Sequence, residues 1–338
     1  MAWRWLQSHT GKVRHIGDSA TPDWYARRAL LRAAVFGQDR EQWTRQPAVA
    51  ASVAVGALVD VREDSLVVDT DRGTEFFALS PTTVTWLGAS TSPSALRFGD
   101  PVIIRHRTPH ADLPEQRIAE RIWARIGRVA GTIVEAYGRE FLVDVHGRER
   151  QHIVVPPAAS RQIQVRFPRL APGYLIDVIG TRHRDHLLAV TPATAQPPYH
   201  AGHSPVPPMV NGHVPMPVSG SAVWHEPDGE PPGLVGLGYP AIDPEETGTE
   251  LVGGTGCIRL PYLSLGTEVR IRNECSERAA MLPVTSEGVT ARQFCDRCVK
   301  CGTSPKGRVA DLTIAAFVEL GGNLEDGCIN ATLTTRTG

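Results

Sequence analysis

The sequence predicts a mainly β chain built from several small barrels. Three observations lead there: glycine-punctuated β-branched runs that occur twice, six cysteines confined to positions 257–328, and a proline-rich stretch between the two regions. At 338 residues the chain exceeds what one hydrophobic core organises, so several domains are expected. Lys+Arg 35 against Asp+Glu 36 leaves a net charge of -1, which removes the basic footprint of a dedicated nucleic-acid binder. No run approaches the roughly 20 apolar residues of a membrane-spanning helix. The opening residues also lack the apolar core and small-residue cleavage site of a secretory signal.

Residues 1–47 are expected to be helical. Trp24, Ala26, Leu30, Leu31, Ala34 and Val35 fall near helical spacing, and Pro22 and Asp23 suit a helix start. Two β segments follow, over 48–110 and 128–192. Gly56-Ala57-Leu58-Val59-Asp60-Val61 matches Gly131-Thr132-Ile133-Val134-Glu135-Ala136 at an offset of 75, and Leu66-Val67-Val68-Asp69 matches Phe141-Leu142-Val143-Asp144. The ends match too, since Gly99-Asp100-Pro101-Val102 corresponds to Gly173-Tyr174-Leu175-Ile176. Each copy reads as strand, tight turn, strand, loop, strand, a pattern that predicts a small barrel. Both copies resemble OB-like modules of bacterial secreted proteins. They lack the aromatic platform that binds single strands, so spacer or assembly roles are expected of them. Residues 111–127, with Ile118, Ile122, Trp123 and Ile126 near helical spacing, read as a helical connector. Residues 193–217, including Gln196-Pro197-Pro198-Tyr199 and Val206-Pro207-Pro208-Met209, read as a semi-rigid polyproline linker holding the next domain apart. His200, His203 and His213 within it fit no common metal spacing.

The final segment, 218–338, holds Cys257, Cys275, Cys295, Cys298, Cys301 and Cys328. An even set of cysteines in a short, loop-rich segment is the arithmetic of a disulfide framework, whose pairing the sequence cannot select. The rival reading is a metal site, because Cys295-x-x-Cys298-x-x-Cys301 has ligand-like spacing. Disulfides are preferred, since no second close cysteine pair completes a site, and no cofactor is implied.

Several motifs in this segment form an ordered set. They are Gly220-Ser221-Ala222-Val223-Trp224-His225, Leu265-Gly266-Thr267-Glu268-Val269, Phe294-Cys295-Asp296-Arg297-Cys298, Ala310-Asp311-Leu312-Thr313 with Leu320-Gly321-Gly322, and Gly327-Cys328-Ile329-Asn330. In that order they resemble the double-psi β-barrel of the expansin, barwin and rare lipoprotein A families. The resemblance implies a polysaccharide groove holding Asp296 and Asp311, one of them a general acid in members that cleave glycans. Trp224, His225, Tyr262 and Arg297 are the candidate ligand-binding residues. Expansins carry a histidine two residues before the second aspartate, where this chain has Val309. The local alternative is that Asp311 or Thr313 caps a helix over 314–320, which Gly321-Gly322 ends.

The expected function is therefore an extracellular or cell-surface protein that binds polysaccharide or peptidoglycan without cleaving it. One alternative is an assembly protein of a fibre or surface layer, self-associating through its helix and barrels. The other is a glycan-cleaving enzyme using Asp296 and Asp311, or a barwin-like protease inhibitor. Neither nucleic acid nor a membrane span is expected.

Overall fold

The computed structural model describes residues 52–108, 117–145, 149–198, 200–203, 216–226, 233–243 and 257–335. The expected helix near the N-terminus and positions 204–215 of the expected linker lie outside these residues. The described chain is mainly β, with its strands gathered into small barrels and all six cysteines in three disulfides.

Barrel 1 contains β1 (Val53–Val61), β2 (Ser65–Thr70), β3 (Gly73–Ala78), β4 (Val84–Trp86), β5 (Ser90–Thr91), β6 (Pro101–Arg107) and β7 (Ile118–Ala124). The sheet runs β3-β2-β1-β6-β7-β4-β5, and a parallel contact between β3 and β7 closes it. Barrel 2 contains β8 (Ile126–Tyr137), β9 (Glu140–Asp144), β10 (Gln151–Val154), helix α1 (Pro157–Arg166), β11 (Leu175–Arg182) and β12 (Leu187–Pro192). It closes in the order β10-β12-β11-β8-β9. Leaving aside the short β4 and β5 inserted in barrel 1, each barrel has five strands in which the first pairs antiparallel with the second and fourth (β1 with β2 and β6, β8 with β9 and β11) and the third runs parallel to the fifth (β3 to β7, β10 to β12), which is the OB-like arrangement.

The two copies agree in detail. A bulge interrupts β1 between Leu58 and Asp60, and another interrupts β8 between Ile133 and Glu135, again 75 positions on. Gly56 and Gly131 lie against the next strand, where an added Cβ would collide with the carbonyl of Asp69 or Asp144. Gly99 (φ 80) and Gly173 (φ 85) make the left-handed turn into the fourth strand, and their amides donate to Leu58 and Ile133 at 2.8 Å.

Residues 111–116 of the expected helical connector lie outside the described residues, and the rest of it is instead strand β7 and the first residues of β8, separated by Arg125 alone. Arg125 takes a left-handed φ of 51, and its guanidinium is held 2.7 Å from Asp100. The misleading spacing has a physical cause. A register shift opposite Arg105/His106 leaves Glu120 as an extra residue in β7, so Ala119 and Ile122, three apart, both enter the core of barrel 1. Trp123 points the other way but is equally buried, because barrel 3 covers that face. A strand that is buried on both sides and bulged loses its two-residue alternation.

Barrel 3 contains β13 (Val218–Trp224), β14 (Leu237–Tyr239), β15 (Glu268–Asn273), β16 (Ala279–Glu287), α2 (Val289–Gln293), β17 (Arg308–Leu312), α3 (Ile314–Glu319) and β18 (Cys328–Thr335). It closes in the order β13-β17-β14-β16-β15-β18, with parallel pairs β13–β17 and β14–β16. Thr313 caps α3 by accepting from the Ala316 amide, and Gly321 (φ 81) follows its end. The disulfides Cys257–Cys295, Cys275–Cys301 and Cys298–Cys328 tie the loop after α2 to the barrel, with Cα separations of 5.1, 5.2 and 5.6 Å.

Barrel 3 is not held apart from the others. Trp86, Ile103 and Trp123 of barrel 1 and Ile179 of barrel 2 share one apolar cluster with its core residues. The start of the expected linker packs as well. Ala193, Thr194 and Gln196 are buried, and Ala195 pairs with Arg297 through both backbone hydrogen bonds. These residues lie in the junction of barrels 2 and 3, where burial overrides the extended preference of the prolines that follow.

Candidate functional site

The residues singled out from the sequence divide into buried and exposed sets. Asp296 is 0% exposed. It accepts from Arg308 Nε at 2.8 Å and from Ser221 Oγ at 3.2 Å. Arg308 Nη2 also donates to Asp177 of β11, and Asp177 accepts from Arg128 of β8 at 2.9 and 2.6 Å. The remaining Arg128 nitrogen donates to the carbonyls of Trp224 at 2.6 Å and Gly327 at 2.9 Å. The Arg308 guanidinium lies 3.8 Å from the centre of the Phe294 ring, which walls it from water.

The result is a dry two-arginine, two-aspartate cluster across the junction of barrels 2 and 3. Burial alone would raise the Asp177 carboxyl, but Arg128 and Arg308 outweigh burial and hold it below the ordinary aspartate range. Burial would likewise lower Arg308, and Asp296 with Asp177 outweighs that and raises it. Both groups are fixed in their charged forms.

Asp311 lies beside this cluster on β17 and is 7% exposed. Burial pushes its carboxyl upward against the pull of Arg308, His225 and Arg128. A raised carboxyl is what a general acid needs, yet Asp311 and Asp296 are both enclosed and present no open groove to a glycosidic oxygen. Trp224 is 1% exposed, and its indole N–H donates to the Leu324 carbonyl at 2.9 Å. The expected stacking residue is therefore a core residue, with Arg128 on one side of its ring. His225 is half-buried, and its backbone amide donates to Leu312 at 3.0 Å.

Tyr262 and Arg297 remain at the surface, on different parts of barrel 3. Tyr262 is 50% exposed. Its neighbours fix its backbone, because the Tyr239 hydroxyl donates to Pro261 at 2.9 Å and the Leu263 amide to Ala241 at 3.0 Å. The tyrosine lies within electrostatic reach of Arg292, whose Nη2 is 3.7 Å from Glu287. Burial lowers Arg292 against the influence of Glu287 and Tyr262. An exposed tyrosine ring on a pinned backbone can stack on a sugar face and bond its hydroxyls through the phenol oxygen.

The sequence reading missed Arg128, Asp177 and Arg308. One signal was available: Asp177 is the lone acid inside Leu175-Ile176-Asp177-Val178-Ile179, a run whose apolar residues demand burial on both faces. Among the described residues, no group of three or more His, Cys, Asp or Glu side chains could hold a metal ion. No described helix is long and apolar enough to cross a membrane.

No protein-family model and no curated protein matches this chain. Among solved structures, one similar chain is a multidomain protein with nucleic acid binding domains from Streptococcus pneumoniae. It is 17% identical, with 51% of this chain and 54% of that chain covered and a TM-score of 0.14. This chain thus spans about half the length of that neighbour. At that TM-score, fold and function have to be argued from the barrels themselves.

Proposed function

We propose that the protein is a non-catalytic binder of cell-wall glycan or another polysaccharide outside the cell, presenting barrel 3 on a rigid body of three joined barrels. The observation that carries this reading is the contrast within barrel 3. The half-exposed Tyr262 lies within electrostatic reach of Arg292, while Asp296 is sealed between Arg308 and Ser221. Three disulfides support an oxidising compartment. The motif order that resembles double-psi barrels, together with the two parallel strand pairs of barrel 3, supports a glycan-related ancestry.

The test is co-sedimentation of the full chain with insoluble peptidoglycan and with cellulose. Retention on one of them is expected. Tyr262→Ala should weaken it about 5- to 30-fold, corresponding to roughly 1–2 kcal/mol for a lost aromatic contact. Neither polymer should release reducing ends. Free protein in the supernatant with both polymers would remove the binding reading, and reducing-end release abolished by Asp296→Asn would replace it with catalysis.

A second reading, assembly into a fibre or surface layer, is favoured by Phe98 and Phe76, which project from barrel 1 as exposed aromatic side chains. Light scattering that rises with protein concentration, and falls on Phe98→Ser, would support it.

A further inference from the structure

A cleft of about 640 Å³ opens between barrels 2 and 3, away from Tyr262, and none of the ligand-binding residues expected from the sequence lines it. Its size is that of small-molecule sites, about 300–1,000 Å³. One wall is the α1 face bearing Arg161, Gln162 and Arg166. The floor is the segment through Thr194, and the opposite wall is the disulfide loop at Lys300.

We propose that this cleft is an anion site, taking a phosphate or carboxylate group of a small ligand. Two independent features carry the assignment. The lining holds three cationic side chains and no acidic one. Lys300 is offset by Asp326, 2.9 Å away at the rim. Arg161 and Arg166 have no carboxylate partner among the described residues, so two positive charges face the cleft uncompensated. The second feature is Thr194, which is 3% exposed and whose Oγ1 has no hydrogen-bond partner among the described residues. A buried hydroxyl is costly to leave unbonded, and an oxyanion held by the two guanidinium groups would accept its proton.

The walls are fixed before any ligand arrives. The Gln196 amide donates to the Arg166 carbonyl at 3.0 Å, Ala195 and Arg297 exchange backbone bonds, and Cys298–Cys328 anchors the loop carrying Lys300. Little ordering is left to oppose binding.

The inference does not depend on glycan retention at Tyr262, and the two fail separately. The experiment is calorimetric titration of the oxidised full-length protein with inorganic phosphate, with pyrophosphate and with trigalacturonate. Neutral cellotriose and sodium chloride at matched ionic strength are the controls. One site per chain is expected for at least one anion and none for cellotriose. Saturation by the phosphates alone identifies a phosphorylated ligand, and saturation by trigalacturonate alone identifies an acidic sugar.

Arg161→Gln with Arg166→Gln should weaken binding at least tenfold, and Thr194→Val several-fold. Arg62→Gln on barrel 1, which changes charge elsewhere, should leave it unaltered. Neither arginine of the cleft makes an ion pair among the described residues, so the double variant should melt with the wild type. The proposal is overturned if no anion binds above the chloride control. It is also overturned if a double variant of unchanged melting temperature binds as tightly as the wild type.

Discussion

Replacing Arg308 by methionine measures how far the charge cluster holds barrels 2 and 3 together. Methionine keeps most of the stem volume, so the packing loss is small. The charge loss is not. Asp177 retains Arg128 at 2.6 and 2.9 Å, whereas among the described residues Asp296 retains only the Ser221 hydroxyl at 3.2 Å. The variant therefore strands one buried carboxylate, and breaking a buried pair from one side costs about 3–5 kcal/mol. That is a large share of the roughly 5–15 kcal/mol by which native domains are stable.

The pH dependence has a definite sign. A stranded acid in a dry site has a folded pKa above its unfolded value of about 3.9, so the variant regains stability as pH falls through that raised value. The wild type moves the other way. Asp177 is depressed in the folded protein, so its contribution is present above the unfolded pKa and is lost as pH falls through the folded one. The gap between the two proteins should narrow on acidification. Guanidinium unfolding at pH 7, pH 5 and about pH 3.5, the last below the unfolded aspartate value, followed by near-ultraviolet circular dichroism, measures it. Adding Asp296→Asn to the variant should restore part of the loss by removing the stranded charge. A methionine variant within about 0.5 kcal/mol of wild type at pH 7, or an asparagine that adds its own full cost, would refute the reasoning.

Three further outcomes are expected. His106 is 3% exposed, and burial followed by Arg117 and Arg72 pushes its imidazole down to about 4. A depressed histidine contributes stability above its unfolded pKa of about 6.5, and that stability is lost as pH falls toward the folded value, by up to ~3 kcal/mol; His106→Phe should flatten the slope of melting temperature against pH in this window. Gly131→Ala drives a methyl group into the Asp144 carbonyl and should cost about 1–3 kcal/mol in a urea titration, while Gly138→Ala, with open space around it but a φ of 64, is limited by backbone strain alone. Reduction opens loops of 38, 26 and 30 residues, each worth about 3–4 kcal/mol by chain entropy, so barrel 3 should become protease-sensitive in dithiothreitol while barrels 1 and 2 persist.

The repeat was readable because its determinants are local. A glycine that must approach a carbonyl, a bulge just after it in the same strand and a left-handed glycine before the β6 or β11 strand each leave a mark at a fixed position, and all recur near an offset of 75. The disulfide framework was readable for the same reason. What the sequence hid depends on what one barrel does to another. Trp224 looks like a binding aromatic until Arg128 and Leu324 enclose it, and β7 looks helical because barrel 3 buries the face that would otherwise be polar. Thr194 and Ala195 look like linker until they line the junction. Tertiary contacts between domains have no local period to betray them.

The balance of charges at the junction indicates what joins the barrels. Arg128 with Asp177 is already neutral within barrel 2, and Arg308 with Asp296 is already neutral within barrel 3. Docking brings two self-sufficient pairs together through the contact of Arg308 with Asp177, so it neutralises no lone charge. Such a cluster fixes the register of the interface more than it drives association. The drive is apolar: Trp86, Ile103, Trp123 and Ile179 enter the shared cluster, each worth about 1.5–3 kcal/mol when withdrawn from water. Separation of the barrels would have to re-expose those side chains before Asp296 met solvent. Any glycan chemistry at Asp296 would therefore require an opening that the apolar junction opposes, whereas binding at Tyr262 requires none.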